Sequence, residues 1–112
     1  MKDIRGDELR GHLETMVLAV LERGEAHGYE ILQRLDSAGS GALNLKEGTI
    51  YPALYRLEEA GVVKAHWETG GEPRRGPRRR TYRLTAAGKR ELARRRESWR
   101  NFVAVIGRIV EA

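Results

Sequence analysis

Five of the eight residues in PRRGPRRR, residues 73–80, are arginine, and the other three are two prolines and a glycine. Proline and glycine keep such a segment out of helices, and the charge keeps it out of a core. A guanidinium is permanently charged and forks onto carboxylate or phosphate oxygens, so the chemistry on offer is anion binding. Residues 73–83 hold six arginines and no acid, while the other 101 residues balance 15 Lys+Arg against 16 Asp+Glu. The whole net charge of +5 therefore comes from one stretch. A polyanion such as nucleic acid fits that footprint, and composition alone fits a solvated, solubilising loop equally well.

Other chemistries find less support. There is no cysteine, hence no disulfide framework and no thiolate metal site. His12, His27 and His66 share no metal-ligand spacing. No Gly-rich phosphate loop precedes a helix, and no acid–base pair stands beside an evident nucleophile. The expectation is a protein that is not an enzyme and carries no cofactor or metal. The longest apolar runs fall short of a membrane span, and MKDIRGDELRG lacks the apolar core of a signal peptide, so a cytoplasmic location is expected.

The arginines must be held by the elements around them. Val63, Ala65 and Trp67 alternate with Lys64, His66 and Glu68, and Tyr82 and Leu84 alternate with Thr81 and Arg83, the period of half-buried strands. Two such strands around GGEPRRGPR predict a β-hairpin with an arginine-tipped loop, and they place Trp67 and Tyr82 on the buried face. The rest predicts helices. One carries Leu9, Leu13, Met16, Val17, Val20 and Leu21 and stops at Gly24. A second starts around Gly28 and Tyr29 and ends at SAGSG. ALNL, residues 42–45, is expected as a short strand. A third runs over residues 47–60 with an apolar stripe of Ile50, Ala53, Leu54, Leu57 and Ala60, and with a local irregularity at Pro52. The fourth is capped by Thr85 and continues to about residue 111. Its Leu92, Trp99 and Ile106 lie seven apart, with Phe102 and Ile109 in companion positions, which is the pattern of a coiled-coil seam interrupted by Arg95.

Three helices and a hairpin, followed by a long helix, give a mainly α fold with a small β-hairpin: a winged helix-turn-helix in residues 1–84 and a C-terminal dimerisation helix in residues 85–112. In that arrangement the later helix of the pair enters the major groove and the wing lies against phosphates or in the minor groove. Arg74, Arg75, Arg78, Arg79 and Arg80 would serve there. On the third helix Thr49, Pro52, Tyr55 and Arg56 lie opposite the apolar stripe, with Tyr51 at its edge, and groove contact competes with an ordinary solvated face. Tyr51 has packing beneath the wing as its alternative. Tyr29 is either a phosphate donor at a helix N-terminus or a core tyrosine. Glu58 and Glu59 would repel phosphate and are expected away from it. ARRRES, residues 93–98, is expected as a solvated helix face.

HGYEI (27–31), EGTIYPALYRLEEAGVV (47–63) and YRLTAAG (82–88) resemble the motifs of the PadR family of bacterial transcriptional regulators, across nearly the whole chain. A single C-terminal helix with a tryptophan resembles the small subgroup of that family. The resemblance implies a homodimeric DNA-binding regulator, usually a repressor, on a palindromic operator in double-stranded DNA. It also implies a planar aromatic ligand between paired copies of Trp99, against the alternative that Trp99 closes the seam with Phe102 and Val103. Leu9, Leu13, Leu92, Trp99, Phe102, Val103, Ile106 and Ile109 are the expected dimer contacts. Two features depart from the pattern: Lys46 stands where a small capping residue is common, and the wing is unusually rich in arginine. The competing class is a binder of RNA or of an anionic surface through the same arginines. Buried strand aromatics argue against RNA, and PRRGPRRR has no apolar residue for a membrane surface.

Overall fold

The computed structural model describes residues 2–68 and 79–112. After a 3-10 turn at Gly6–Leu9 come α1 (Leu13–Leu21), β1 (Ala26–His27), α2 (Gly28–Ala38), α3 (Glu47–Glu59), β2 (Val63–Trp67), β3 (Arg80–Leu84) and α4 (Ala86–Val110). The strands form an antiparallel sheet in the order β1-β3-β2. One core holds the domain together: Val17, Leu18 and Leu21 of α1 meet Ile31 and Leu35 of α2, Ile50, Leu54 and Leu57 of α3, and Val63, Tyr82 and Leu84 of the sheet. Leu92 of α4 joins the same core at 1% exposure.

The helical assignments hold, with local differences. The first helix does not run unbroken from Leu9. Gly11 adopts φ +86, a conformation open to glycine, and separates the 3-10 turn from α1. Leu9 is buried within the chain and Leu13 packs against its core, so neither stands on a free seam. The strand expected at residues 42–45 is absent. Asn44 sits at φ +52, which breaks extended structure, and the N-terminal arm ties down this loop instead. Ile4 N–H donates to the Ala42 carbonyl at 2.9 Å, and Asn44 Nδ2 donates to Asp3 at 2.7 Å. The strand that does precede α2 is β1, only two residues long, which makes β3 a central strand.

That placement explains a second difference. Thr81, expected on the polar face, is buried between β1 and β2, facing His27 and His66 in register. Trp67, expected in the core, is 50% exposed at the end of β2, beyond the helices that cover Val63. α3 continues through Pro52 without a break. That proline stands in the second turn, where it removes one hydrogen bond only.

α4 is anchored at its first turn. Thr85 Oγ1 accepts the Gly88 N–H at 3.0 Å and donates to the Gly61 carbonyl at 2.7 Å, and Thr85 N–H donates to the Val62 carbonyl at 3.2 Å. A side chain on Gly88 would run into that same Val62 carbonyl oxygen. This is the physical content of the TAAG stretch: a cap, then a residue with no Cβ, where helix meets backbone. Gly88→Ala is therefore expected to lower stability by about 2 kcal/mol, since backbone on both sides must move to admit a methyl group. A urea unfolding midpoint equal to that of the unchanged chain would show that the contact relaxes freely.

Candidate nucleic-acid interface

α3 is amphipathic in the way a groove-reading helix must be. Ile50, Ala53, Leu54 and Leu57 are buried, which fixes the rotation of the helix and leaves Thr49, Pro52 and Tyr55 outward. Tyr55 is 63% exposed. The start of α3 lacks a side-chain cap, as expected from Lys46. In its first turn Thr49 N–H donates to the Lys46 carbonyl at 2.9 Å in place of a side-chain cap.

Tyr51 lies at the edge of this face and leans on α2. A Cβ on Gly28 would fall against its ring and hydroxyl, so the glycine of HGYEI makes room for the tyrosine of TIYP. Tyr29 is exposed in the first turn of α2, which rules out its reading as a core tyrosine. His27 caps that turn: its Nδ1 accepts the Glu30 N–H at 3.3 Å, and Glu30 Oε1 accepts the His27 N–H at 3.2 Å. The histidine is thus a helix cap, and no group of metal ligands exists among the described residues.

The arginines divide into three sets. Arg74, Arg75 and Arg78, with most of the expected wing loop, lie outside the described residues. Arg79 is exposed, with Nη1 3.0 Å from His27 Nε2, so it stands beside the N-terminus of α2 and near Tyr29. Arg80 differs from the expected free wing charge. Its Nη2 donates to Glu58 at 2.7 Å, and its guanidinium lies 5.8 Å from the Trp67 ring centroid and 5.9 Å from that of Tyr82. Its Nε is buried and has no hydrogen-bond partner among the described residues. Arg80 therefore clamps the base of the hairpin to α3 instead of reaching outward. Glu58, expected away from phosphate, is its anchor. Removing the clamp with Glu58→Gln should loosen the hairpin base, read as faster amide exchange in β3 than in α2; equal exchange in both would show that the pair holds nothing.

Arg56 also has a protein partner. Its Nε donates to Glu14 of α1 at 2.9 Å, which places it on the flank of α3 nearest α1. Glu14 was not apparent as a site residue, nor were the other acids that meet the ARRRES arginines. Arg96 pairs with Glu22 at 2.9 Å, and Arg94 and Arg95 both pair with Glu91, holding its carboxyl down to about 2. The solvated face is thus an ion-paired one: Arg94 and Arg95 pair within α4, and Arg96 ties α4 to the end of α1.

Beyond Leu92, α4 leaves the core. Trp99, Phe102, Val103, Ile106 and Ile109 are exposed along it, Trp99 at 51% and Ile109 at 71%. Leu92, placed on this seam by its heptad spacing, is instead consumed by the chain's own core, so the free apolar face begins at Trp99. The Trp99 indole stacks on Phe102 at 6.0 Å and meets His12 edge-on at 5.5 Å.

A winged helix with an outward α3 face and a long C-terminal helix has counterparts among known proteins. Residues 17–94 match the transcriptional regulator PadR-like family. The chain belongs to that family. A transcriptional regulator from Clostridium thermocellum superposes with a TM-score of 0.82 at 33% identity, over 96% of this chain and 98% of that one. A PadR family transcriptional regulator from Eggerthella lenta gives 0.79 at 30% identity, over 95% and 88%. An uncharacterized protein of Lysinibacillus sphaericus is 31% identical over 108 residues, 96% of each chain. PadR-like proteins are transcriptional regulators that bind DNA, not enzymes. No helix among the described residues is long and apolar enough to cross a membrane.

Proposed function

We propose that this PadR-like chain is a homodimeric repressor that reads an inverted-repeat operator with α3, in the cytoplasm where the chromosome lies. The observation that carries the reading is the outward face of α3, with Thr49, Pro52 and Tyr55 presented on a helix whose other side is locked in the core. In a major groove these residues meet base edges and thymine methyls. Tyr29 and Arg79, at the N-terminus of α2, lie where a flanking phosphate would sit, and Tyr51 supports them from α3. Arg74, Arg75 and Arg78 extend the phosphate contact along the wing. Residues 1–84 carry the DNA contacts and residues 85–112 the pairing, as one unit joined through Leu92. Selection of bound duplexes from a random pool by the purified chain is expected to yield an inverted repeat. Recovery of single-stranded RNA in preference to duplex DNA would instead favour the exposed Trp67 as a stacking platform, although Arg80 already lies across its ring.

Release by a planar aromatic compound is the proposed control. Trp99 is half exposed on the pairing face, so two indoles approach across a two-fold axis and flank a flat ligand. Its stacking on Phe102 supports the competing reading of a closed seam. Fluorescence of Trp67→Phe protein, in which Trp99 alone reports, separates them: saturable quenching by planar dyes with weakened operator binding supports a ligand site, and no quenching across a broad panel supports closure.

A further inference from the structure

Glu14 stands in the first turn of α1, and three elements converge on it. Arg56 of the reading helix donates to its Oε2 at 2.9 Å, and Arg95 of α4 approaches its Oε1 at 3.6 Å. Arg95 is itself held by Glu91 of its own helix at 2.7 Å and by Thr15 Oγ1 of α1 at 3.2 Å, so it is fixed beside Glu14. Glu14 is 29% exposed at its side chain and Arg56 is 58% exposed, so the carboxylate is the more buried member and the arginine the one that can swing. One acid thus serves two cations, one from the helix that reads DNA and one from the helix that pairs the chains.

We infer that Glu14 is a specificity-determining positioning residue, which withholds Arg56 from DNA of arbitrary sequence. The inference rests on the reading of α3 as the groove helix. A passing phosphate must compete with a carboxylate already in contact, so Arg56 adds little to binding at random sites. At an operator, a correctly placed base edge or phosphate replaces the carboxylate, and Arg95 takes up the Glu14 charge that Arg56 gives back. The pair costs affinity everywhere and costs it most where the geometry is wrong, which is negative selection built from one ion pair. Because the pair is solvated on its Arg56 side, its effect per subunit is a few-fold, not orders of magnitude.

The test is a double-mutant cycle on the full chain, with binding to a fixed random-sequence duplex followed against salt concentration. Glu14→Gln keeps the shape of the side chain and removes its charge. It is expected to raise affinity for random DNA about two- to five-fold per subunit. It should also steepen the log–log salt slope by about 0.9 per subunit, as one more phosphate contact per chain would. Discrimination between operator and random duplex should fall, by less than that factor, because operator binding also gains. In an Arg56→Gln background the Glu14→Gln change is expected to do nothing. Glu14→Ala, at a partly exposed helical position where alanine is well tolerated, provides a second variant with the same expected signs. If Glu14→Gln strengthens random binding equally with Arg56 present or absent, the effect is general electrostatics and the inference is overturned. If it leaves the slope unchanged, Arg56 is not withheld and the inference is likewise overturned. Absence of salt-dependent duplex binding by the unchanged chain would be a different failure, that of the groove reading itself.

Discussion

Ile106→Glu is expected to turn the proposed dimer into a folded monomer. Ile106 lies in the middle of the exposed stretch of α4, between Phe102 and Ile109, so in the proposed dimer a carboxylate there would be buried against its own symmetry mate. Two desolvated like charges at the centre of an apolar seam are not tolerated. The fold itself should survive. α4 is anchored by the Thr85 cap, by Gly88 against Val62 and by Leu92 in the core, all more than three turns away from residue 106. Sedimentation at micromolar concentration should show a single species of half the mass found for the unchanged chain, with the same helical circular dichroism. Operator affinity should fall about 100-fold or more, since each half-site would then be bound without the benefit of linkage. A variant that remains dimeric would place the pairing surface elsewhere.

The second large effect concerns the wing. Arg74, Arg75 and Arg78 account for three of the six arginines that give the chain its charge excess. If each meets one phosphate in each subunit, their joint replacement by alanine should lower the salt slope by about 5 per dimer. Binding to operator and to random duplex should weaken alike, because phosphate contacts position without reading sequence. Arg80→Ala is expected to behave differently: with its guanidinium committed to Glu58, it should alter the hairpin more than the salt slope. An unchanged slope in the triple variant would make these arginines solubilisers.

The contrast between these arginines shows what the sequence could reveal. Periodicity located α2, α3 and α4, because an apolar stripe every three to four residues has one physical meaning in a small soluble domain. The Thr85 cap and the outward face of α3 were legible for the same reason. What was hidden depends on contacts between distant residues. Nothing in residues 26–27 announces a strand, because β1 exists only through its pairing with β3. Heptad spacing assigned Leu92 to a seam, since spacing does not say whether a neighbour is the same chain or another. Trp67 fits an alternating strand equally well whether its face is covered or lies past the covering helices. The partners of Arg56, Arg80 and Arg96 are 42, 22 and 74 residues away in sequence. No local pattern encodes such pairs, and they decide which arginines are free for DNA and which hold the protein together.

In the proposed dimer α3 enters the major groove twice, once from each chain. Methylation interference on the selected duplex reports this entry, because guanine N7 is presented only in the major groove. Two clusters of interfering guanines are expected about one helical turn apart, on one face of the duplex and related by two-fold symmetry. A single cluster, or binding indifferent to N7 methylation at every position, would contradict that entry.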